Sequence, residues 1–317
     1  MDGVLVIDKH AGPTSHDMVR DVRKLLHVDK VGHTGTLDPM ATGVLPLVLG
    51  SATKITRYLT GSNKAYEGVI RLGIVTDTQD RAGTVQKQCP VDATRITETR
   101  IQDVLQKFQG TIFQVPPMHS AKKQNGIKLY TLARKGIEVE RVAKQISIYK
   151  LELLKIELPD LWIRVFCGAG TYIRTLAHDV GEQLGCGGHL QSLRRVQAGP
   201  FSLAQSLPFS ALKEQPELAQ ARLVSLAKAL QGLQCIKVPK HMGRLISTGY
   251  QLSIADLRNL EIPEFSLDEA IILSNEQDMG VIAIARSLFA SNELSAMRRD
   301  QRAFKIERVL LQKEQLV

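Results

Sequence analysis

Apolar and polar positions recur along this chain with periods that separate strands from helices. Residues 4–7 are a short unbroken apolar run, as in a buried strand, and Gly12-Pro13-Thr14 turns the chain after it. Ser15 is the expected N-cap of HDMVRDVRKLLHV, where Met18, Val22, Leu25 and Leu26 fall at helical spacing. GHTGTLDPMATG, residues 32–43, is too rich in Gly, Thr and Pro for a regular element and reads as a loop. Residues 43–50 predict a buried strand, and Ser51 the cap of a helix over ATKITRYL. Residues 64–72 alternate as a strand does, residues 76–83 form a polar loop, and residues 101–108 belong to a helix. Strands are expected at 110–115, closed by Pro116-Pro117, and at 146–158 and 161–167. A helix follows at 175–184, after a turn at 168–170.

Strands and helices mix without regular βαβ units, which predicts an α+β fold with a largely antiparallel mixed sheet flanked by helices. Gly232 and a change in charge suggest a boundary near 230–236. Residues 1–232 would be one domain. Residues 236–317, with short apolar runs broken by Gly, Pro and Asp, would be a small β-rich domain.

Charge sharpens this division. The formal net charge is +9 over 317 residues. Residues 1–232 hold 30 Lys and Arg against 21 Asp and Glu, and residues 233–317 hold 11 of each. A basic surface suits phosphate backbones or anionic membranes, or is simply solvated. No stretch approaches the ~20 apolar residues of a membrane span. The start, MDGVLVIDKHAGP, lacks a secretory pattern. Cys89, Cys167, Cys186 and Cys235 are scattered without a CxxC pair, so no metal site or disulfide framework is expected. These features predict a protein of the reducing cytoplasm.

There is no GxxxxGK[ST], HExxH or GxSxG, and GAGTYI and GCGGH fail the GxGxxG pattern. Asp38, before a proline in a glycine-rich loop, reads on physics alone as a turn residue. Its context reads otherwise. GHTGTLDPMATGVLPL, residues 32–47, closely resembles the catalytic motif of the TruB family of pseudouridine synthases. SATKITRYL, KAY at residues 64–66, TDTQDRAG, PPMHSAKKQNGIKLYTLARKGIEVER and GTYIRTLAHDVGEQLGCGGHLQSLRR resemble the same family. The likeness is strong over about residues 3–200 and loose in the tail. His10 departs from it, standing where the family's first motif usually has proline, while Lys9 and Gly12 remain.

The resemblance implies conversion of uridine to pseudouridine at position 55 in the T loop of tRNA. The base would be flipped out of the RNA, its C1′–N1 bond broken, and the uracil rejoined through C5. Asp38 would be the catalytic carboxylate, with Arg174 paired to it, holding it ionised and lowering its pKa. Tyr66 would stack on the uracil and move the C5 proton. Tyr172 and Leu193 would wall the pocket, and His33 would occupy space beside the flipped base. Lys54 and Lys64 would make phosphate or packing contacts. The basic stretch 118–145 carries seven Lys and Arg against two Glu. It resembles the family's RNA-gripping insertion, with Lys122, Lys123, Lys128, Arg134 and Arg141 on phosphates. A solvated loop and helix is its plainer reading. The tail takes the place of a PUA-like RNA-binding domain. No cofactor, metal, membrane or obligate protein partner is implied, and a monomer acting on the tRNA T arm is expected. Three other readings are a tRNA-binding folding chaperone, a guide-RNA-dependent synthase of the same superfamily, and a base glycosylase that lets water finish the reaction.

Overall fold

Leu5 and Ile7 join one apolar cluster, whereas Val4 and Val6 join another on the opposite side. A strand buried on both faces belongs inside a sheet, and β1 (Gly3–Lys9) lies there between two neighbours. The computed structural model describes residues 1–120, 122–124, 126–133, 135–275 and 280–311. Its elements continue with α1 (Ser15–Leu25), β2 (Val31–His33), β3 (Thr42–Leu49), α2 (Thr56–Thr60), β4 (Lys64–Leu72), β5 (Ile74–Thr76), β6 (Val85–Gln88), α3 (Glu98–Lys107) and β7 (Gly110–Gln114). Then come β8 (Lys123–Gln124), β9 (Ile127–Lys128), α4 (Leu129–Ala133), β10 (Lys144–Glu157), β11 (Asp160–Cys167), α5 (Ile173–Leu184), β12 (Gly188–Ala198), β13 (Phe201–Ser202) and β14 (Leu207–Pro208). The last part holds α6 (Phe209–Glu214), α7 (Leu218–Ala221), α8 (Leu226–Ala229), β15 (Gln234–Val238), α9 (Lys240–Ser247), β16 (Ala270–Asn275), β17 (Val281–Ser287) and β18 (Phe304–Val309).

The main sheet runs β14-β1-β3-β12-β4-β11-β10-β7, with β2 paired to β3 and β13 to β12. Only the β1–β14 and β3–β12 pairings are parallel among its described strands, so the fold is the expected α+β type with a largely antiparallel mixed sheet. Helices α1, α3 and α5 cover one face and bury Met18, Val22, Ile101, Leu105, Leu176 and Val180 against β1, β4 and β11. Each such aliphatic side chain contributes roughly 1.5–3 kcal/mol on burial.

A second sheet, β15-β16-β17-β18, forms the C-terminal part. It is not set apart by an open linker. Ile272, Val281, Ile284 and Leu310 share an apolar cluster with Val4, Val6, Val48, Ile55 and Leu59 of the main body. Polar contacts reinforce the junction. Lys54 Nζ donates to the Val309 carbonyl at 2.8 Å, and Glu307 accepts from Arg57, from the Tyr58 hydroxyl at 2.6 Å and from Arg286 Nε at 3.0 Å.

Three local expectations are corrected. Thr14, not Ser15, caps α1, through a capping box with Asp17. Ser51 caps nothing: residues 50–55 form a 3₁₀ turn, and the Ser51 amide donates to Asp2 Oδ1 at 2.5 Å. Gly32 and His33 are not loop residues, because they pair with Val48 and Leu47 of β3.

Candidate active site

The loop carrying Asp38 joins β2 to β3, and side chains distant in sequence grip its backbone. The Ser15 hydroxyl accepts from the Leu37 amide at 2.8 Å and donates to the Leu37 carbonyl at 3.2 Å. This bridge occupies the hydroxyl that would otherwise have capped α1. Lys9, fully buried, donates from Nζ to the carbonyls of His10, Pro39 and Ala41 at 2.9, 3.2 and 2.7 Å. Arg195, also buried, donates to the carbonyls of Val44, Thr36 and Gly35 at 2.7, 3.4 and 3.1 Å. A side chain at Gly43, where φ is +101°, would fall 2.2 Å from the Arg195 carbonyl oxygen, so only glycine allows β3 this close to β12. Asp38 therefore sits on a braced loop.

Arg174 lies in the first turn of α5. The residue before that helix, Tyr172, has no side-chain cap. Instead the buried Gln114 accepts from its amide at 2.8 Å and donates to its carbonyl at 3.0 Å. Arg174 Nε then meets Asp38 Oδ2 at 3.0 Å. The rest of the guanidinium is occupied: it donates to the Thr78 carbonyl at 2.9 Å and the His119 carbonyl at 2.7 Å, and faces Asp80 Oδ2 at 3.7 Å. Asp80 accepts from the Thr78 hydroxyl at 2.7 Å and the Ala82 amide at 2.9 Å. The pairing of Asp38 with Arg174 is as expected. Asp80, Arg195 and Gln114 are site residues that reading the sequence missed.

The effect of this pairing on Asp38 is corrected. Arg174 does pull its carboxyl pKa down, but burial and the nearby charge of Asp80 push up, and the net direction is above the ordinary value. The side chain keeps 33% of its surface open where it lines a cavity, with protein enclosing the rest. It meets water on one side only. Burial likewise lowers the Lys9 ammonium to about 8, against the attraction of Asp38.

That cavity has a volume of about 400 Å³, within the range of small-ligand sites. Asp38, Tyr66, Tyr172, Arg174 and Leu193 line it, together with Lys64 and Arg195. Tyr66 projects from β4 opposite Arg195 on β12, and Leu193 lies opposite Gly68. A side chain at Gly68 would meet the Ser192 carbonyl oxygen at 3.1 Å, so glycine eases the close approach of β4 to β12 beside Leu193. Burial raises the Tyr66 phenol pKa while Arg195 draws it down, and the net shift is upward. Lys64 is not a surface cation. It is buried, donates to the carbonyls of Thr60 and Ser62 at 2.8 and 2.6 Å, and is lowered to about 8 by burial and then by Arg195. His33 is outside the cavity lining. Its Nδ1 accepts from the Gly35 amide at 3.3 Å, and burial lowers its pKa.

Of the basic stretch, Asn125, Arg134 and the side chains of Lys123 and Lys128 lie outside the described residues. Arg141 faces inward rather than toward solvent, with Nη1 on the Pro116 carbonyl at 3.2 Å and Nη2 on Glu138 at 3.1 Å. Lys122 stands close to Lys144; burial, then that neighbour, lowers its ammonium to about 8. Among the described residues, no group of three or more His, Cys, Asp or Glu side chains could hold a metal ion. No described helix is long and apolar enough to cross a membrane.

The TruB family pseudouridylate synthase N-terminal domain matches residues 23–173, and the tRNA pseudouridylate synthase B C-terminal domain matches residues 174–233. The tRNA pseudouridine synthase B of Clostridium perfringens (strain SM101 / Type A) is 41% identical over 313 residues, 98% of this chain and 100% of the relative. That of Aromatoleum aromaticum is 49% identical over 232 residues, 73% of this chain and 74% of the relative. In the crystal structure of a Cbf5-Nop10-Gar1 complex, one chain superposes with a TM-score of 0.78 at 26% identity, covering 99% of this chain and 86% of that one. This chain belongs to the TruB family of pseudouridine synthases.

Proposed function

We propose that this protein isomerises uridine to pseudouridine in tRNA, at position 55 of the T loop, with Asp38 as the catalytic carboxylate. The observation that carries the reading is the Asp38–Arg174 pair facing a cavity walled by Tyr66, Tyr172 and Leu193. The flipped uridine enters, and Asp38 acts at the sugar or the base while C1′–N1 breaks. The freed uracil turns between Tyr66 and Leu193 and rejoins the ribose through C5. The C5 proton is released and N1 gains one, so composition and oxidation state are unchanged and no co-substrate is consumed. Burial keeps the Tyr66 phenol neutral, which suits its hydroxyl to relaying the C5 proton. The closed walls hold the detached base and keep water from the sugar.

In this reading residues 1–232 are the catalytic domain, and residues 236–317 form a PUA-like RNA-binding domain. His33 packs within the remodelled RNA loop. Lys122, Lys123, Lys128 and Arg134 meet phosphates. The protein works in the cytoplasm as a monomer without guide RNA. Incubation with unmodified tRNA transcript, followed by mapping of modified positions, tests the proposal. Pseudouridine at position 55 with RNA mass unchanged is expected. An abasic site would identify a glycosylase, and RNA annealing without modification a chaperone.

A further inference from the structure

Aromatic residues make up 5% of this chain, yet two are exposed on one stretch of sheet beside the cavity. Tyr149 is 53% exposed on β10, and its ring centroid lies 5.4 Å from that of Phe166 on β11. On edge strand β7, Phe113 is 74% exposed and stands opposite Gln145 of β10. Phe166 pairs with Ala65 and its neighbour Val165 with Tyr66. Because neighbouring strand residues face opposite sides, Phe166 is on the side of the sheet away from Tyr66.

The start of β10 follows the cavity's lip. Lys144 is opposite Gln114, which clamps Tyr172, and the Ser147 carbonyl accepts from the Gly168 amide at 2.8 Å. Gly168 lines the cavity, and a side chain placed there would be 3.5 Å from the Tyr149 hydroxyl. The aromatic pair thus adjoins the rim. Tyr149 is four positions along the strand from Gln145, roughly 13 Å. Lys122, close to Lys144, stands with it toward the start of this strip.

We propose that Tyr149, packed on Phe166, is a stacking platform for an unpaired RNA nucleotide flanking the uridine in the cavity, with Phe113 as a second step farther along. The proposal rests on the reading of the cavity as a uridine site. Three features favour single-stranded RNA over a protein partner: the exposed rings adjoin the cavity that would take a flipped base, they are well separated along one strip, and lysines stand at its end. Exposed π-faces beside cations bind unpaired bases with little regard to sequence. A nucleotide extruded from a folded loop leaves its neighbours unstacked, and these rings would restore that stacking.

The test uses the full-length protein and an unmodified tRNA transcript, comparing wild type with Tyr149→Ala, Tyr149→Trp and Phe113→Ala. Pseudouridine formation by the wild type is established first; its absence would refute the reading of the cavity and not the platform itself. Tyr149→Ala should weaken tRNA binding roughly tenfold, the scale of one lost base–aromatic stack. The slope of affinity against salt should be unchanged, because no charge is removed. Turnover at saturating tRNA should stay near wild type, and Tyr149→Trp should retain affinity. Thermal melts matching wild type confirm that the exposed substitutions leave the fold intact. Equal tRNA affinity in Tyr149→Ala would overturn the proposal. So would a change in oligomeric mass on substitution, which would mark this face as a contact between copies of the chain.

Discussion

Arg174 Nη1 stands 3.7 Å from Asp80 Oδ2 while Nε of the same side chain holds Asp38 at 3.0 Å. One guanidinium serves two carboxylates, and Asp80 is itself fixed by the Thr78 hydroxyl and the Ala82 amide. Asp80→Asn removes the charge that steadies the far side of Arg174, so Asp38 loses alignment without losing its carboxyl. Turnover should fall on the order of 10²-fold, the usual consequence of a small misplacement at a reacting centre. tRNA affinity should change little. Single-turnover rates beside binding measurements check this, and undiminished turnover would show that Arg174 needs no second carboxylate.

Burial holds the Asp38 pKa above its usual value despite Arg174. The native state therefore binds that proton more tightly than the unfolded chain does. The group's contribution to stability falls as pH rises from the unfolded value, near ~3.9, through the folded one. Above its folded pKa the ionised Asp38 weakens the fold relative to its protonated form. Asp38→Asn should melt at the same temperature as wild type or higher by calorimetry. A markedly lower Tm would mean that the ion pair outweighs desolvation. The same shift sets an acid limb on the rate, with activity lost as pH falls through a pKa above the ordinary carboxylate range.

Glu307 ties the C-terminal sheet to α2. Burial alone would raise its carboxyl, but hydrogen bonds from Arg286 and Tyr58 and the charges of Arg286 and Arg57 bring it down to about 2. Its stabilisation is present above the unfolded pKa, near ~4.3, and is lost as pH falls toward 2. Glu307→Gln should lower unfolding stability by about 1–2 kcal/mol at pH 7, measured in urea, since the cluster is partly solvated. The deficit should shrink in acid. A deficit independent of pH would assign the effect to packing.

Lys122, lowered to about 8 by burial and by Lys144, regains its full charge when a phosphate approaches. tRNA affinity should therefore decline between pH 7 and 9 in wild type, and less so in Lys122→Gln. That variant should also reduce the salt slope by about one unit. Identical pH dependence in the two proteins would remove Lys122 from the RNA interface.

Strand β4 is legible residue by residue, because KAYEGVIRL alternates with its even positions buried, and α1 is legible from Met18, Val22 and their spacing. Asp38 is legible only through its long matching context, since Asp-Pro in a glycine-rich loop looks like a turn. The bracing is not legible. Arg195 meets Gly35, and Lys9 meets Ala41, through carbonyls that carry no side-chain signature. Ser15 shows the same limit: its hydroxyl bridges the Leu37 backbone across the fold, and Thr14 caps the helix with Asp17. The basic stretch misled in part, because composition does not tell an outward arginine from Arg141, which turns in to the Pro116 carbonyl. The direction of the Asp38 shift required knowing its burial and the approach of Asp80, neither of which is written in local sequence.

The central claim is that Asp38 carries the isomerisation. Asp38→Asn keeps the size of the side chain and its place opposite Arg174, and removes the carboxylate. Tritium release from C5-labelled tRNA, measured beside tRNA affinity for the same protein, separates chemistry from binding. The account predicts no release above background with affinity close to wild type. Release at the wild-type rate would contradict it.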